Sequence, residues 1–579
     1  MYKQTLLLKW LWLALLSNAW SVVFAASPVL PQLSAAHGVG LLNECVGLSA
    51  KLTELPHTRI ISTELIPTGT LAVGDQPIAE HCRVTGKMHE RKSLIDGKTY
   101  SITFEIRLPK EWNGRFLHQG NGGIDGVVQP AIGSFGGGPL THALHQGFVV
   151  LSSDAGHAGA NPAFGVDPQA RLDYGYQAVS KLTPMAKLVI NVAYGKSPDR
   201  SYFAGCSNGG RHAMVAATRY FEDYDGILAG APGYNLPRAA IANLAGARLY
   251  KSVATADVKS HIDLATALTD KERQLVAHQV LEKCDALDGV TDGIAQDVAA
   301  CQKVFSLQKD VPTCASARDG SCLTQPQKQV LAQIFSGPKN AKGQRIYASF
   351  PFDGGFGSGR AGVSSGGSPV GSGIAFWEFF ASTQLDSGAT GIIFKVPPEN
   401  PEHFNALEFS LTTNIDALLH GVYSSNDVYK ESAMTFMTPP NPENMNGLRS
   451  KGGKIIVYHG VSDSIFSIND SVNWLQRVQR HTGQDFVKLY PIPGMGHCSG
   501  GPATDQFDML TPLVKWVEEG VEPESVEASA RGVGNLGGVN PDVPSAWHPG
   551  RTRPLCPFPK VARYNGAGDI EKAENFTCK

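Results

Sequence analysis

The chain has 579 residues, with 50 lysines and arginines against 52 aspartates and glutamates, for a formal net charge of −2. That near-balance, with 8% aromatic residues, excludes a charge-driven nucleic-acid or membrane-surface partner. The 63 glycines and 36 prolines imply a loop-rich globular protein, long enough for two domains with one inserted in the other.

At the N-terminus, Lys3 and Lys9 precede a largely apolar run, Trp10 to Phe24, that exits through Ala25-Ala26-Ser27. Residues 1–26 therefore read as a signal peptide, since the run is short for a membrane span and ends in small residues. The mature chain is expected to be secreted or periplasmic, without a stable membrane anchor. Ten cysteines fit an oxidising compartment. Local pairings suggest themselves for Cys45 with Cys82, Cys284 with Cys301, Cys314 with Cys322 and Cys556 with Cys578. Cys206 and Cys498 remain. No C-x-x-C spacing occurs, so a zinc site is not indicated.

Farther along, Ser101 to Leu108 alternates apolar and polar residues as a half-buried strand does. Arg115 to His118 reads as a strand running into the glycine-rich loop Gln119-Gly-Asn-Gly-Gly123. Gly147 to Ser153 reads as a buried strand, Gln177 to Val192 as a helix, and Asp225 to Pro232 as a further strand. Strands alternating with helices indicate a mainly parallel sheet covered on both faces. After Pro232 the pattern becomes helix-rich, then glycine- and serine-rich at Phe352 to Gly373, then proline-broken at Pro397 to Pro401. Strand signals return at Lys454 to His459 and Phe486 to Tyr490. The expected organisation is an α/β-hydrolase domain of residues 27–234 and 451–579, interrupted by a lid domain of residues 235–450.

The stretch Tyr202-Phe-Ala-Gly-Cys-Ser207-Asn-Gly-Gly-Arg211 holds a G-x-S-x-G in a strand–turn–helix context. Such a turn presents a serine hydroxyl at a helix N-terminus, where backbone N–H groups and the helix dipole favour an oxyanion. Asp463 follows the strand 454–459, and His497 follows the strand 486–490. The chain order Ser, Asp, His is that of an α/β-hydrolase triad, with Ser207 as nucleophile, His497 as general base and acid, and Asp463 as its orienting carboxylate. Contact between Ser207 and His497 would bring the adjoining Cys206 and Cys498 within disulfide reach. Cys206 as a thiol nucleophile is the weaker alternative, because it sits one place off the turn.

With these motifs, the chain resembles the tannase and feruloyl esterase family. The resemblance is carried by Glu111-Trp-Asn-Gly-Arg-Phe116, Gly205-Cys-Ser-Asn-Gly-Gly210, His459-Gly-Val-Ser-Asp463, Met495-Gly-His-Cys-Ser-Gly-Gly-Pro502, the segment Asp505 to Leu513, and Arg551-Thr-Arg-Pro-Leu-Cys-Pro557. It spans nearly the whole mature chain and looks most like the branch of mono(2-hydroxyethyl) terephthalate hydrolases. It implies Cys206–Cys498 as an active-site disulfide, and supports the four local pairs. It further implies the backbone N–H groups of Gly123 and Asn208 as oxyanion donors. The loop Asp285 to Ile294 is dense in carboxylates, which suits Ca²⁺. The resemblance implies structural calcium there, held by Asp285, Asp288, Asp292 and the carbonyls of Val290 and Ile294. Gly122, Phe376 and Phe466 are the implied substrate contacts, while Trp377 reads as lid core.

One departure stands out. The terephthalate hydrolases grip the free carboxylate of their substrate with a lid arginine. Here Glu378 to Phe394 contains neither arginine nor lysine, and Lys395 and Arg360 are distant substitutes. The expected function is a secreted serine carboxylic ester hydrolase acting on small aromatic esters of the feruloyl type, with mono(2-hydroxyethyl) terephthalate a further substrate. A tannase is the alternative within that class, and a non-catalytic secreted binding protein the alternative outside it.

Overall fold

The computed structural model describes residues 30–138, 142–363 and 369–579. The signal-peptide segment 1–26 lies outside the described residues. A nine-stranded sheet organises the molecule. Its strands in chain order are β1 (Thr58–Ile66), β2 (His81–Lys92), β3 (Thr99–Pro109), β4 (Arg115–Gly120), β5 (Val149–Ser153), β6 (Arg200–Cys206), β7 (Gly226–Gly230), β8 (Lys454–Gly460) and β9 (Val487–Ile492). Their spatial order is 9-8-7-6-4-5-3-2-1. The run from β9 to β5 is parallel, and β3, β2 and β1 extend it as an antiparallel meander.

The parallel strands are buried on both faces, which is why they read as apolar runs. Successive residues alternate between two cores. Phe203, Ile455 and Val457 join helix α1 (Ala178–Tyr194) and the Trp474 helix on one side; Tyr202, Ala204, Ile456 and Tyr458 join Leu513 and Trp516 on the other. Helix α1 stops at Gly195, whose left-handed φ of 73° only glycine adopts cheaply. Helix α2 (Asn208–Arg219) leaves the end of β6 directly.

Between β7 and β8 the chain departs into a mostly helical insertion. Helix α3 (Leu236–Lys251) opens it with Pro237 in its first turn, and α4 (Asp270–Cys284) begins with a Thr269–Glu272 capping box. These helices build a core of their own around Tyr250, Val276, Leu331 and Phe379. The glycine- and serine-rich stretch forms a small hairpin, Arg360–Val363 with Pro369–Ser372, and then a helical run to Phe394. Among the described residues no helix is long and apolar enough to cross a membrane.

All five anticipated disulfides form. The Cys206–Cys498 bond joins residues 292 apart in sequence, with 6.1 Å between their Cα atoms. In the chain-entropy account, closing so long a loop stabilises the fold by on the order of 5 kcal/mol.

Candidate active site

Ser207 caps β6 with φ 64° and ψ −124°, a left-handed conformation costly for a residue with a side chain. The neighbouring strands over-determine it. Its N–H donates to the Gly230 carbonyl (3.0 Å), and its own carbonyl accepts from the Arg211 N–H (3.0 Å). The glycine after it is required by a close approach, since a Cβ on Gly209 would stand 2.2 Å from the Gly120 carbonyl oxygen. The elbow therefore follows from local sequence, and the parallel pairing of β6 with β4 sets the glycine loop against it.

His497 sits on the loop after β9. Its Nδ1 donates to Asp463 Oδ2 at 2.7 Å, which leaves Nε2 free to act on a proton. Asp463, on the loop after β8, also accepts the N–H groups of Ile465 and Phe466 through Oδ1, at 2.9 and 3.0 Å. Burial raises the Asp463 carboxyl, but the charge of His497 and the hydrogen bonds of His459 and His497 outweigh that and hold it well below the usual carboxylate range. The second histidine, His459, is buried 3.4 Å from the same carboxylate and is tied by its two nitrogens to Ser471 Oγ and the Phe466 carbonyl.

Ser207 and His497 line one cavity, together with Gly122, Gly123, Asn208 and Phe466. No Ser207–His497 hydrogen bond is present among the described residues; in unliganded sites such bonds commonly tighten only with substrate. The Gly123 and Asn208 backbone N–H groups have no protein acceptor among the described residues. Phe466 lies edge-on to the His497 ring, with centroids 5.4 Å apart. Phe376 requires a correction. It does not line the cavity but stacks on Phe380, at 5.0 Å. The helix directs its successor Trp377 to the cavity instead, with the indole 5.8 Å from the His497 ring.

The network behind the Gly120–Gly123 loop was not read from the sequence. Asp125 accepts from Asn208 Nδ2 (2.7 Å) and contacts His212 Nε2 (3.0 Å), while Arg211 Nε donates to Asn208 Oδ1 (2.7 Å). The Asn208 amide is thus held at both ends, which fixes the residue whose backbone N–H faces the cavity. Burial pushes the Asp125 carboxyl up to about 7. Its place two residues beyond Gly123 was the available signal.

The acidic loop lies apart in the chain, between α4 and the C-terminal arginines. Asp285, Asp288 and Asp292 are all buried. Asp292 is ion-paired with Arg553 and its carbonyl accepts from Arg551. The carboxylates of Asp285 and Asp288 accept backbone N–H groups and have no basic partner among the described residues. Burial pushes both up and neighbouring carboxylates add repulsion, taking Asp288 to about 7. Buried carboxylates without a cationic side chain are donor chemistry for a hard, oxygen-liganded cation. No set of three carboxylate, imidazole or thiolate side chains among the described residues could hold a metal by itself, so a cation here would draw on backbone carbonyls as well.

A family model described as "Tannase and feruloyl esterase" matches residues 82–579. A mono(2-hydroxyethyl) terephthalate hydrolase from Piscinibacter sakaiensis is 36% identical over 533 residues, covering 86% of this chain and 85% of the relative. A probable feruloyl esterase B-2 from Aspergillus fumigatus is 25% identical over 592 residues, covering 95% and 99%. The crystal structure of feruloyl esterase B from Aspergillus oryzae superposes with a TM-score of 0.71 at 23% identity, covering 92% of this chain and 99% of that one. That last likeness bears on the fold alone, and it is the α/β-hydrolase fold described above.

Proposed function

The chain belongs to the tannase and feruloyl esterase family and is a carboxylic ester hydrolase, and from that premise we propose that it cleaves esters of aromatic acids through a Ser207–His497–Asp463 triad. The observation that carries this reading is the 2.7 Å His497–Asp463 bond, set in the same cavity as the strained Ser207 elbow. Ser207 Oγ attacks the ester carbonyl while His497 Nε2 takes its proton. The oxyanion forms against the Gly123 and Asn208 N–H groups. On collapse, His497 returns the proton to the leaving alkoxide, and the alcohol departs from an acyl-Ser207 enzyme. Water, deprotonated by the same nitrogen, then attacks the acyl carbonyl and releases the acid with Ser207 restored. Asp463 holds the imidazole tautomer and supports its positive charge in both halves.

The aromatic rings of Trp377 and Phe466 beside His497 suit a flat acyl group, and the relatives' names supply two such classes, feruloyl-type esters and mono(2-hydroxyethyl) terephthalate. Residues 235–450 serve as the lid that carries part of this pocket. Five disulfides support an exported protein, with residues 1–26 as the cleaved signal. Asp285, Asp288, Asp292 and the carbonyls of Val290 and Ile294 would hold Ca²⁺, whose contribution is to offset the charge of buried carboxylates and stabilise the fold.

Ser207→Ala tests the reading against a non-catalytic binding protein. Turnover of methyl ferulate is expected to fall by on the order of 10⁶, with binding of the ester retained. Retained turnover would sink the triad. Chelation is expected to lower the melting temperature, with added Ca²⁺ restoring it; a melt indifferent to both would remove the calcium assignment.

A further inference from the structure

The roof of the cavity carries a charge the triad does not use. Asp386 lines it, at 5% exposure, from a short α-helical turn, Asp386–Gly388, set between two π-helical stretches, Ala381–Leu385 and Ala389–Phe394. Such π turns re-aim side chains within a helix and recur at functional sites. Asn243 Nδ2, from α3, donates to Asp386 Oδ2 at 2.8 Å and fixes the carboxylate. The other carboxylate oxygen has no protein partner among the described residues. That oxygen is not sealed away from the cavity, so it is free to accept a hydrogen bond from a bound group.

Among the described residues, neither lysine nor arginine lines the cavity to meet an acidic substrate. Lys395, a conceivable clamp from the sequence, is spent on Glu399 at 2.6 Å, and its carbonyl accepts from Arg171. The Arg360 side chain lies outside the described residues.

Resting on the proposed ester hydrolysis, we infer that Asp386 is the specificity-determining residue of the acyl pocket, accepting a hydrogen bond from an aromatic hydroxyl and excluding acyl groups that carry a second carboxylate. Hydroxylated aromatic acyl groups supply the missing donor, whereas a distal carboxylate brings like charge against a fixed, desolvated carboxylate. Burial pushes the Asp386 carboxyl up to about 6, with the Asn243 hydrogen bond and the charge of His497 opposing it, so near neutral pH it is an acceptor.

The test compares kcat/KM on methyl 4-hydroxycinnamate, methyl cinnamate and mono(2-hydroxyethyl) terephthalate for the wild type, Asp386→Asn and Asp386→Ala. The wild type is expected to favour the hydroxylated over the plain cinnamate by about tenfold or more, as sites built around a substrate hydroxyl do. Both variants are expected to lose most of that ratio and to gain on the terephthalate monoester relative to methyl cinnamate. A defect of folding or chemistry lowers all three rates together and leaves the ratios alone. Wild-type inhibition by 4-hydroxycinnamate, cinnamate and terephthalate needs no variant, and the expected order is hydroxycinnamate tightest and terephthalate weakest. Unchanged ratios in an active enzyme, or terephthalate as the tightest inhibitor, would overturn the role of Asp386 alone. A wild type inactive on all three esters overturns the aromatic-ester reading and this inference with it.

Discussion

The floor and the roof of the cavity are built differently. Ser207, the Gly120–Gly123 loop, Asp463 and His497 hang from the ends of parallel strands and are tied by backbone hydrogen bonds and the Cys206–Cys498 bond. Trp377, Leu385, Asp386, Ala389 and Phe394 descend from an insertion whose helix alternates between α and π turns. In the proposed mechanism the floor places the reacting atoms, which demands fixed geometry. The roof would contact the rest of the substrate, and its residues can change without moving Ser207. Altering the floor should therefore cost rate or stability, and altering the roof should change preference.

The sharpest way to break this division is Asp463→Asn. With the imidazole deprived of its orienting charge, kcat is expected to fall by about 10⁴ while the melt shows a folded protein. A loss expressed mainly in KM would mean that Asp463 belongs with the binding groups. Next in size is the paired change Cys206→Ser with Cys498→Ser. Denaturant unfolding is expected to show a loss of about 2–5 kcal/mol, accompanied by a lower kcat because the elbow and the histidine loop are no longer joined. Loss of stability at full kcat would show that the strands alone preorganise the floor.

The smallest expected effect concerns the roof and has the opposite sign. The folded protein binds the Asp386 proton more tightly than the unfolded chain, so this group's contribution to stability is present below pH about 4 and is lost as pH rises through about 6. Asp386→Asn removes that loss. The variant is expected to gain about 1–3 kcal/mol over the wild type at pH 8 relative to pH 4. No gain at pH 8 would mean that the carboxylate is not desolvated as its burial implies. The disulfide change carries no comparable pH signature, which separates the two regions by a second measure.

Much of the floor was legible in the sequence because its signals are local. The glycines of Gly205-Cys-Ser-Asn-Gly209 answer to a backbone approach of 2.2 Å, and strand runs buried on both faces leave an unbroken apolar trace. Asp463 and His497 each follow such a run by a few residues, so their loops could be placed without seeing them meet. The meander strands β1 and β2 were not anticipated. They form one edge of the sheet and carry a mixed, half-buried pattern.

The amino-acid sequence was enough for the elbow and for the chain order of Ser207, Asp463 and His497, because each is marked by residues within a few places of it, while the pairing of the ten cysteines was legible through the family resemblance. Only the folded chain settled which insertion residues line the cavity. Phe376 and Trp377 differ by one position, and π turns shift the phase of every residue after them, so no regular period foretells the side a ring takes. It also set the partners of Asp125 and Asp386. Asp125 meets Asn208 across 83 residues and Asp386 meets Asn243 across 143, and the meaning of a carboxylate depends on what remains beside it once water is gone.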